Sequence, residues 1–236
     1  MRSYAVLLVP RPAADAATAR RLAAPGTTAA IVDVLRATTT LTIARQNGAA
    51  RILPALTPEE AFALRDRHPG ALLCGERDGR IVPGFDLGNS PLEYESARVA
   101  GRTLVFASTN GSRAMALAAG AGRRVLAAFV NLAAALERLA AARDVLIVCA
   151  GKLGRFALED AACAGALARG LRARGFRPAN DEARLAESLA PADAAATHAL
   201  VQGCSHARYL RRLGPEFARD VEFCARLDAV AAAYEL

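Results

Sequence analysis

The sequence predicts an α/β fold, a layered α/β/α arrangement with a mainly parallel sheet and a mostly helical C-terminal third. Three observations lead there. Short apolar runs alternate with helical patterns as far as Cys149, the order that gives parallel pairing through crossover helices. The runs are apolar throughout and do not alternate, as expected of strands covered on both faces. Several of them stop at an acid, a hydroxyl cluster or a glycine just where a helical pattern begins, which is how open α/β sheets build sites at the carboxyl ends of strands.

Strands are expected at residues 5–9, 29–34, 51–56, 71–74, 103–107, 124–129 and 144–149, where β-branched and aliphatic residues cluster between polar breaks. Helical patterns fall between them at 13–23, 38–46, 58–67, 111–119 and 132–142. Beyond Cys149 the pattern changes to helices at 156–174, 181–196, 205–213 and 216–232, with no convincing strand. Gly175-Phe176-Arg177-Pro178 is the best internal break. The expected organisation is one domain over residues 1–236, or two closely fused lobes parting near 175–180.

At 236 residues and 53% apolar composition, the chain is large enough for a substantial core and too aliphatic to be disordered. No apolar stretch is long enough to span a membrane, and the opening apolar run is cut by Pro10-Arg11-Pro12, too soon for a signal peptide. A cytoplasmic protein without membrane contact is the expectation. The five cysteines include no CxxC pair and read as reduced thiols. The net charge of +7 comes mostly from Arg scattered through Ala-rich helices. With no basic run, no Trp and few aromatics to stack bases, nucleic acid is not the expected partner. A small anionic substrate accounts for the charge equally well, and a homodimer follows only from the general frequency of symmetric dimers.

Chemistry concentrates in five segments. Val32-Asp33 ends a strand, and Arg36-Ala37-Thr38-Thr39-Thr40 opens a helix. Asp33 there could attack phosphorus or hold Mg²⁺ while Arg36, Thr38, Thr39 and the helix amides take an anion. The competing reading is helix capping. Glu76 and Asp86, in two acid-bearing loops, are candidate Mg²⁺ ligands, whereas Asp78-Gly79 reads as a turn and Ser90 as a cap before Pro91. Ser108-Thr109-Asn110-Gly111-Ser112-Arg113 is a second strand-to-helix junction, where Thr109, Asn110, Gly111, Ser112 and Arg113 could cradle phosphate or sulfonate oxygens, with capping by Ser108 or Asn110 as the alternative. Cys149 and Arg155 have the Cys-x5-Arg spacing of thiolate phosphatases, against a buried strand cysteine. Glu159 and Asp160 are further metal candidates or dipole-favoured acids. The three histidines are isolated; His206 could reach the site from the helical region, though a surface or helix role is the leading expectation, and His68 and His198 read as structural or exposed.

Taken together, these segments resemble the 2-phosphosulfolactate phosphatase (ComB) family over residues 31–229. The resemblance is carried by Val32-Asp33-Val34-Leu35-Arg36-Ala37-Thr38-Thr39-Thr40, Gly84-Phe85-Asp86-Leu87-Gly88-Asn89-Ser90-Pro91, Thr109-Asn110-Gly111-Ser112-Arg113, Cys149-Ala150-Gly151 and Gly154-Arg155-Phe156-Ala157-Leu158-Glu159-Asp160. Lys152-Leu153 departs from it and reads as lineage variation. The resemblance implies an α/β fold and Mg²⁺-dependent hydrolysis of 2-phospho-3-sulfolactate to 3-sulfolactate and phosphate, a step toward coenzyme M. Two alternatives stand beside it: a phosphatase of another small phosphorylated acid, and a non-catalytic binder of small anionic acids. Within the phosphatase reading, Asp33 is the leading nucleophile or metal ligand. Cys149, with Arg155 over the phosphate, is its rival.

Overall fold

The computed structural model describes residues 2–9 and 24–236. Its strands divide between two sheets. The first contains β1 (Ser3–Leu7), β2 (Thr27–Val32), β7 (Arg123–Ala127), β8 (Asp144–Cys149) and β9 (Arg177–Pro178), in the order β7-β2-β8-β1-β9 and parallel throughout. The second contains β3 (Arg51–Ala55), β4 (Leu72–Arg77), β5 (Arg80–Ile81) and β6 (Thr103–Ala107), in the order β3-β6-β4-β5, where β5 alone runs antiparallel.

Side chains alternate across each strand, so one strand feeds two cores. On one face of the first sheet, Val6, Ala30, Val32, Val125 and Ile147 pack under α5 (Leu132–Ala140), α6 (Leu158–Ala173) and α7 (Asp181–Leu189). On its other face, Leu7, Ala29, Ile31 and Leu146 share a core with Ile52, Leu104 and Phe106 of the second sheet. Between the two sheets lie α1 (Ala37–Gln46), through Leu41 and Ala44, and α4 (Gly111–Leu117), through Ala114 and Met115. The outer face of the second sheet, with Leu73 and Val105, is covered by α2 (Pro58–Arg67) through Ala61 and Phe62. The short α3 (Ser96–Val99) precedes β6, and α8 (Ala194–Gly203), α9 (Ser205–Leu213) and α10 (Pro215–Cys224) complete the helical third.

Most expected elements lie within two or three residues of their sequence positions. The helix expected at 13–23 falls outside the described residues. Three differences have local causes. The break at 175–178 includes a strand, because Ser3 and Tyr4 of β1 pair with Arg177 and Pro178 at the sheet edge; two residues ending in Pro give no periodic signal. The helix expected at 181–196 is two helices, parted where Pro191 removes an amide and Asp193 accepts from the Ala196 amide at 2.8 Å to cap the second. The last helix ends at Cys224, and the segment after it runs along the molecule to place Glu235 beside Val125 and to bond Leu236 to Arg124. All five cysteines are buried and unpaired. Among the described residues no helix is long and apolar enough to cross a membrane.

Candidate active site

The carboxyl ends of β2 and β8 in the first sheet and of β4 and β6 in the second converge on one cavity of about 360 Å³. Asp33, Leu35 and Arg36 line it from the end of β2, Glu76, Asp78 and Gly79 from β4 and its turn, Thr109 and Asn110 from β6, and Lys152 and Leu153 from β8. Asn89 lies at one wall, and His206, Tyr209 and Leu210 of α9 close the opposite one.

The turn after β2 is fixed by its threonines. Thr38 Oγ1 accepts from the Asp33 amide at 2.9 Å and donates to the Ala127 carbonyl at 2.8 Å. Thr39 donates to the Val34 carbonyl at 2.9 Å and Thr40 to that of Asn89 at 2.9 Å. All three are fully buried. The run of hydroxyls therefore satisfies buried backbone groups, and Thr38 and Thr39, expected as substrate ligands, lie beneath the cavity and not on its wall.

Asp33 is 5% exposed. Desolvation, then the Glu76 charge, push its carboxyl up to about 7, against the Ala37 amide that hydrogen-bonds its charged form. Glu76, from the other sheet, accepts from the Thr109 amide at 2.8 Å and the Gly79 amide at 2.7 Å. The Asp78-Gly79 turn that supplies the latter has φ of 53° and 83°, as the sequence reading of a tight turn requires. Gly111 packs on Asp33: a Cβ there would sit 2.8 Å from Asp33 Oδ2 and 2.5 Å from the Ala37 methyl.

Arg36 borders the cavity with each Nη nitrogen already hydrogen-bonded within the protein. Nη1 donates to Asp220 at 2.6 Å, Nη2 donates to the Gly79 carbonyl at 2.6 Å, and the guanidinium lies 5.0 Å from the Phe217 ring. Its charge remains next to the site, but both Nη groups of the arginine expected to take an anion are bound to Asp220 and the turn. Asp220 is itself buried and also accepts from Ser90, whose side chain caps the short turn at Pro91 as anticipated.

Asp160 is a brace. Its two oxygens accept from the Val34 amide at 2.9 Å and the Gly151 amide at 3.0 Å, tying together the ends of β2 and β8. Burial and then the Asp33 charge push its carboxyl well up. Glu159, 1% exposed, faces His206, whose Nδ1 is 2.9 Å from its Oε1. Burial is the largest influence and opposes ionisation of Glu159, yet the hydrogen bond and charge of His206, with the Glu159 backbone amide and Cys204, together hold the carboxyl below its ordinary value. Neither acid lines the cavity.

Other sequence candidates are placed elsewhere. Asp86 is exposed and caps the start of β4 by accepting from the Leu73 amide at 2.8 Å. Ser112 exchanges hydrogen bonds with Ser108, 2.9 Å from the Ser108 amide to its Oγ and 3.1 Å in return, so Ser108 caps α4. Arg113 is exposed and lines a separate groove with Leu56 and Thr57. The Cys149 thiol is wholly buried and pushed well up by burial, then by the Asp160 charge, the reverse of what a thiolate nucleophile needs. Arg155 is exposed, in a loop closed by paired backbone bonds with Lys152.

The structure adds Lys152 and Asn89 to the sequence candidates, and it brings to the cavity His206, for which a helix or surface role is the leading expectation from sequence. Lys152 sits with Nζ 3.5 Å from the centroid of the Tyr209 ring, and burial pulls its ammonium down. Asn89 is 5% exposed, and its Oδ1 is buried with no hydrogen-bond partner. His206 is 9% exposed at the second position of α9. A lysine in a glycine loop and one histidine in a helix carry no periodic or spacing signal; the pairing of β8 with β2 brings Lys152 to the cavity and the packing of α9 brings His206.

Among the described residues no set of three or more His, Cys, Asp and Glu side chains is arranged to enclose a metal. The donor set present suits a hard cation held partly by water and substrate. The Glu76 carboxylate from one sheet acts electrostatically on Asp33 of the other, and Asn89, whose Oδ1 is buried without a hydrogen-bond partner, also lines their cavity.

A deep, carboxylate-walled cavity at the carboxyl ends of parallel strands defines an α/β enzyme that works on a small polar molecule. The family model for 2-phosphosulpholactate phosphatase matches residues 15–236. A relative from Thermotoga petrophila is 42% identical over 85% of this chain and 85% of its own, one from Symbiobacterium thermophilum 44% over 86% and 88%, and one from Deinococcus radiodurans 44% over 84% and 83%. Each of these relatives carries the name probable 2-phosphosulfolactate phosphatase. The chain belongs to the 2-phosphosulpholactate phosphatase family, whose members are phosphoric monoester hydrolases.

Proposed function

We propose that the protein hydrolyses 2-phosphosulfolactate to 3-sulfolactate and phosphate in the cytoplasm with Mg²⁺, on the way to coenzyme M. The observation that carries this reading is the buried Asp33 carboxylate facing Glu76 across a cavity that also holds Lys152. Such a site repels a bare second anion and accepts one that arrives with a cation.

Asp33 and Glu76, with Asn89 Oδ1, are the groups that would hold Mg²⁺. When bound, the ion neutralises charge on the phosphoryl oxygens and lowers the barrier to their transfer. Asp33 is the nucleophile: its carboxylate attacks phosphorus, the bond to the C2 oxygen of the hydroxy acid breaks, and water later releases phosphate from the acyl phosphate. Glu76, pinned by two amides, fixes the field that Asp33 feels. Lys152, already partly desolvated against Tyr209, pairs with an acidic group of the substrate. Asn110 accepts from the Leu153 amide at 2.8 Å through Oδ1, which leaves Nδ2 to donate to the ligand.

Phosphate release from 2-phosphosulfolactate, 2-phospholactate and 3-phosphoglycerate, each with Mg²⁺ and with EDTA, tests the reading. Mg²⁺-dependent release that favours the sulfonated ester supports it. Release insensitive to EDTA removes the metal, and no release from any ester removes the activity.

A further inference from the structure

The cavity that holds Asp33 is also lined by a histidine whose ring is fixed by a buried carboxylate. The Nδ1 of His206 is bound at 2.9 Å to Glu159, a buried carboxylate kept charged. A charged acceptor on Nδ1 puts a proton on that nitrogen and leaves Nε2 as the edge that exchanges protons. No protein partner of Nε2 is present among the described residues, and the residue lines the cavity that holds Asp33, Glu76 and Lys152. The supporting Glu159 is fixed in turn, being the second residue of α6, beside Asp160, which ties that helix to the turns after β2 and β8. A carboxylate bound to one edge of an imidazole that lines a cavity is the arrangement of an oriented acid–base group.

We infer that His206 is the acid–base residue of this site and that Glu159 is its positioning residue. The inference rests on the phosphatase reading above. As Asp33 Oδ forms its bond to phosphorus, the bond from phosphorus to the substrate C2 oxygen breaks. The departing oxygen, an alkoxide of high proton affinity, takes the proton from His206 Nε2 and leaves as the alcohol. Water then attacks phosphorus, gives its proton to the now neutral Nε2, and displaces Asp33. The sum is ester plus water to alcohol plus phosphate, with His206 back in its starting form.

A leaving group that needs no proton isolates this role. The measurement is kcat/KM, which reports the first phosphoryl transfer, for 2-phosphosulfolactate and for the same ester with sulfur as the bridging atom, in wild type, His206→Gln and Glu159→Gln, each with Mg²⁺. A thiolate departs without protonation, so His206→Gln lowers kcat/KM on the oxygen ester by about 10²–10⁴ and on the sulfur ester by less than tenfold. Glu159→Gln shows the same selectivity at smaller amplitude and carries the test if His206→Gln does not fold. Equal losses on both esters, or no loss on either, overturn the assignment while leaving the phosphatase reading intact. A wild type inactive on the oxygen ester overturns that reading, and this assignment with it.

Discussion

Asp33→Asn separates what the site costs the fold from what it gives to function. The carboxyl has an ordinary value of 3.8 and is raised to about 7 in the folded protein, so the folded state holds the proton more tightly than the unfolded chain. Stability from this group is therefore full below about pH 4 and is lost as the pH rises through 7. At about 1.4 kcal/mol per unit, about 2 kcal/mol is lost by pH 5 and about 4 kcal/mol by pH 8. Asn keeps an acceptor for the Ala37 amide but adds a donor that must find a partner, so recovery of roughly half is expected. For a chain of this size that is a Tm gain of about 2–4 °C at pH 5 and about 4–8 °C at pH 8. Thermal melts in EDTA at the two pH values measure it, with phosphate release on the same samples, where turnover is expected to vanish. A variant no more stable than wild type at pH 8, or one with equal gains at both pH values, would refute the argument that burial of charge at Asp33 opposes folding.

Other substitutions probe separate parts of the site. Asp220→Ala leaves the Arg36 guanidinium buried without its carboxylate and is expected to cost about 3–5 kcal/mol in urea unfolding. Cys149→Ser places a hydroxyl in a closed apolar position, so a loss of about 1–3 kcal/mol in stability with kcat within about threefold of wild type is expected; loss of turnover in a folded variant would return the thiol to the mechanism. Gly111→Ala drives a methyl toward Asp33 Oδ2, with an expected cost of about 1–3 kcal/mol and a fall in kcat/KM of more than tenfold. Mg²⁺ is expected to raise the wild-type Tm, by about 2.7 kcal/mol of added stability at one hundred times its Kd, and to leave that of Glu76→Gln nearly unchanged.

Local signals carried the elements and half of the site. The runs at 103–107 and 144–149 are legible because a buried parallel strand is apolar on both faces, and Asp33, Glu76, Thr109 and Asn110 because each stands just past the carboxyl end of an apolar run, where α/β sheets build their clefts. Which strands pair was not legible. Nothing in β3 or β6 distinguishes them from β2 or β8, and the division into two sheets depends on where α1 and α4 pack. The threonines misled for a related reason, since a hydroxyl that binds a ligand and one that closes a backbone turn look alike in sequence. Lys152 was hidden because it reaches the cavity only through the pairing of β8 with β2, and His206 was left as the weaker of two readings because it reaches the cavity only through the packing of α9, both contacts between segments far apart in the chain.

The two acids that face each other belong to different sheets, Asp33 to the first and Glu76 to the second. Neither sheet with its own helices contains a complete site, so the reactive unit is the seam between them and exists only while they are docked. A small rotation of one sheet on the other would change the separation of the carboxylates, and with it the proton and cation affinity of Asp33, without breaking any strand pairing. The apolar core around Ile31, Leu41, Phe106 and Met115, which touches no substrate, is thereby the part of the molecule that sets the tuning of its chemistry.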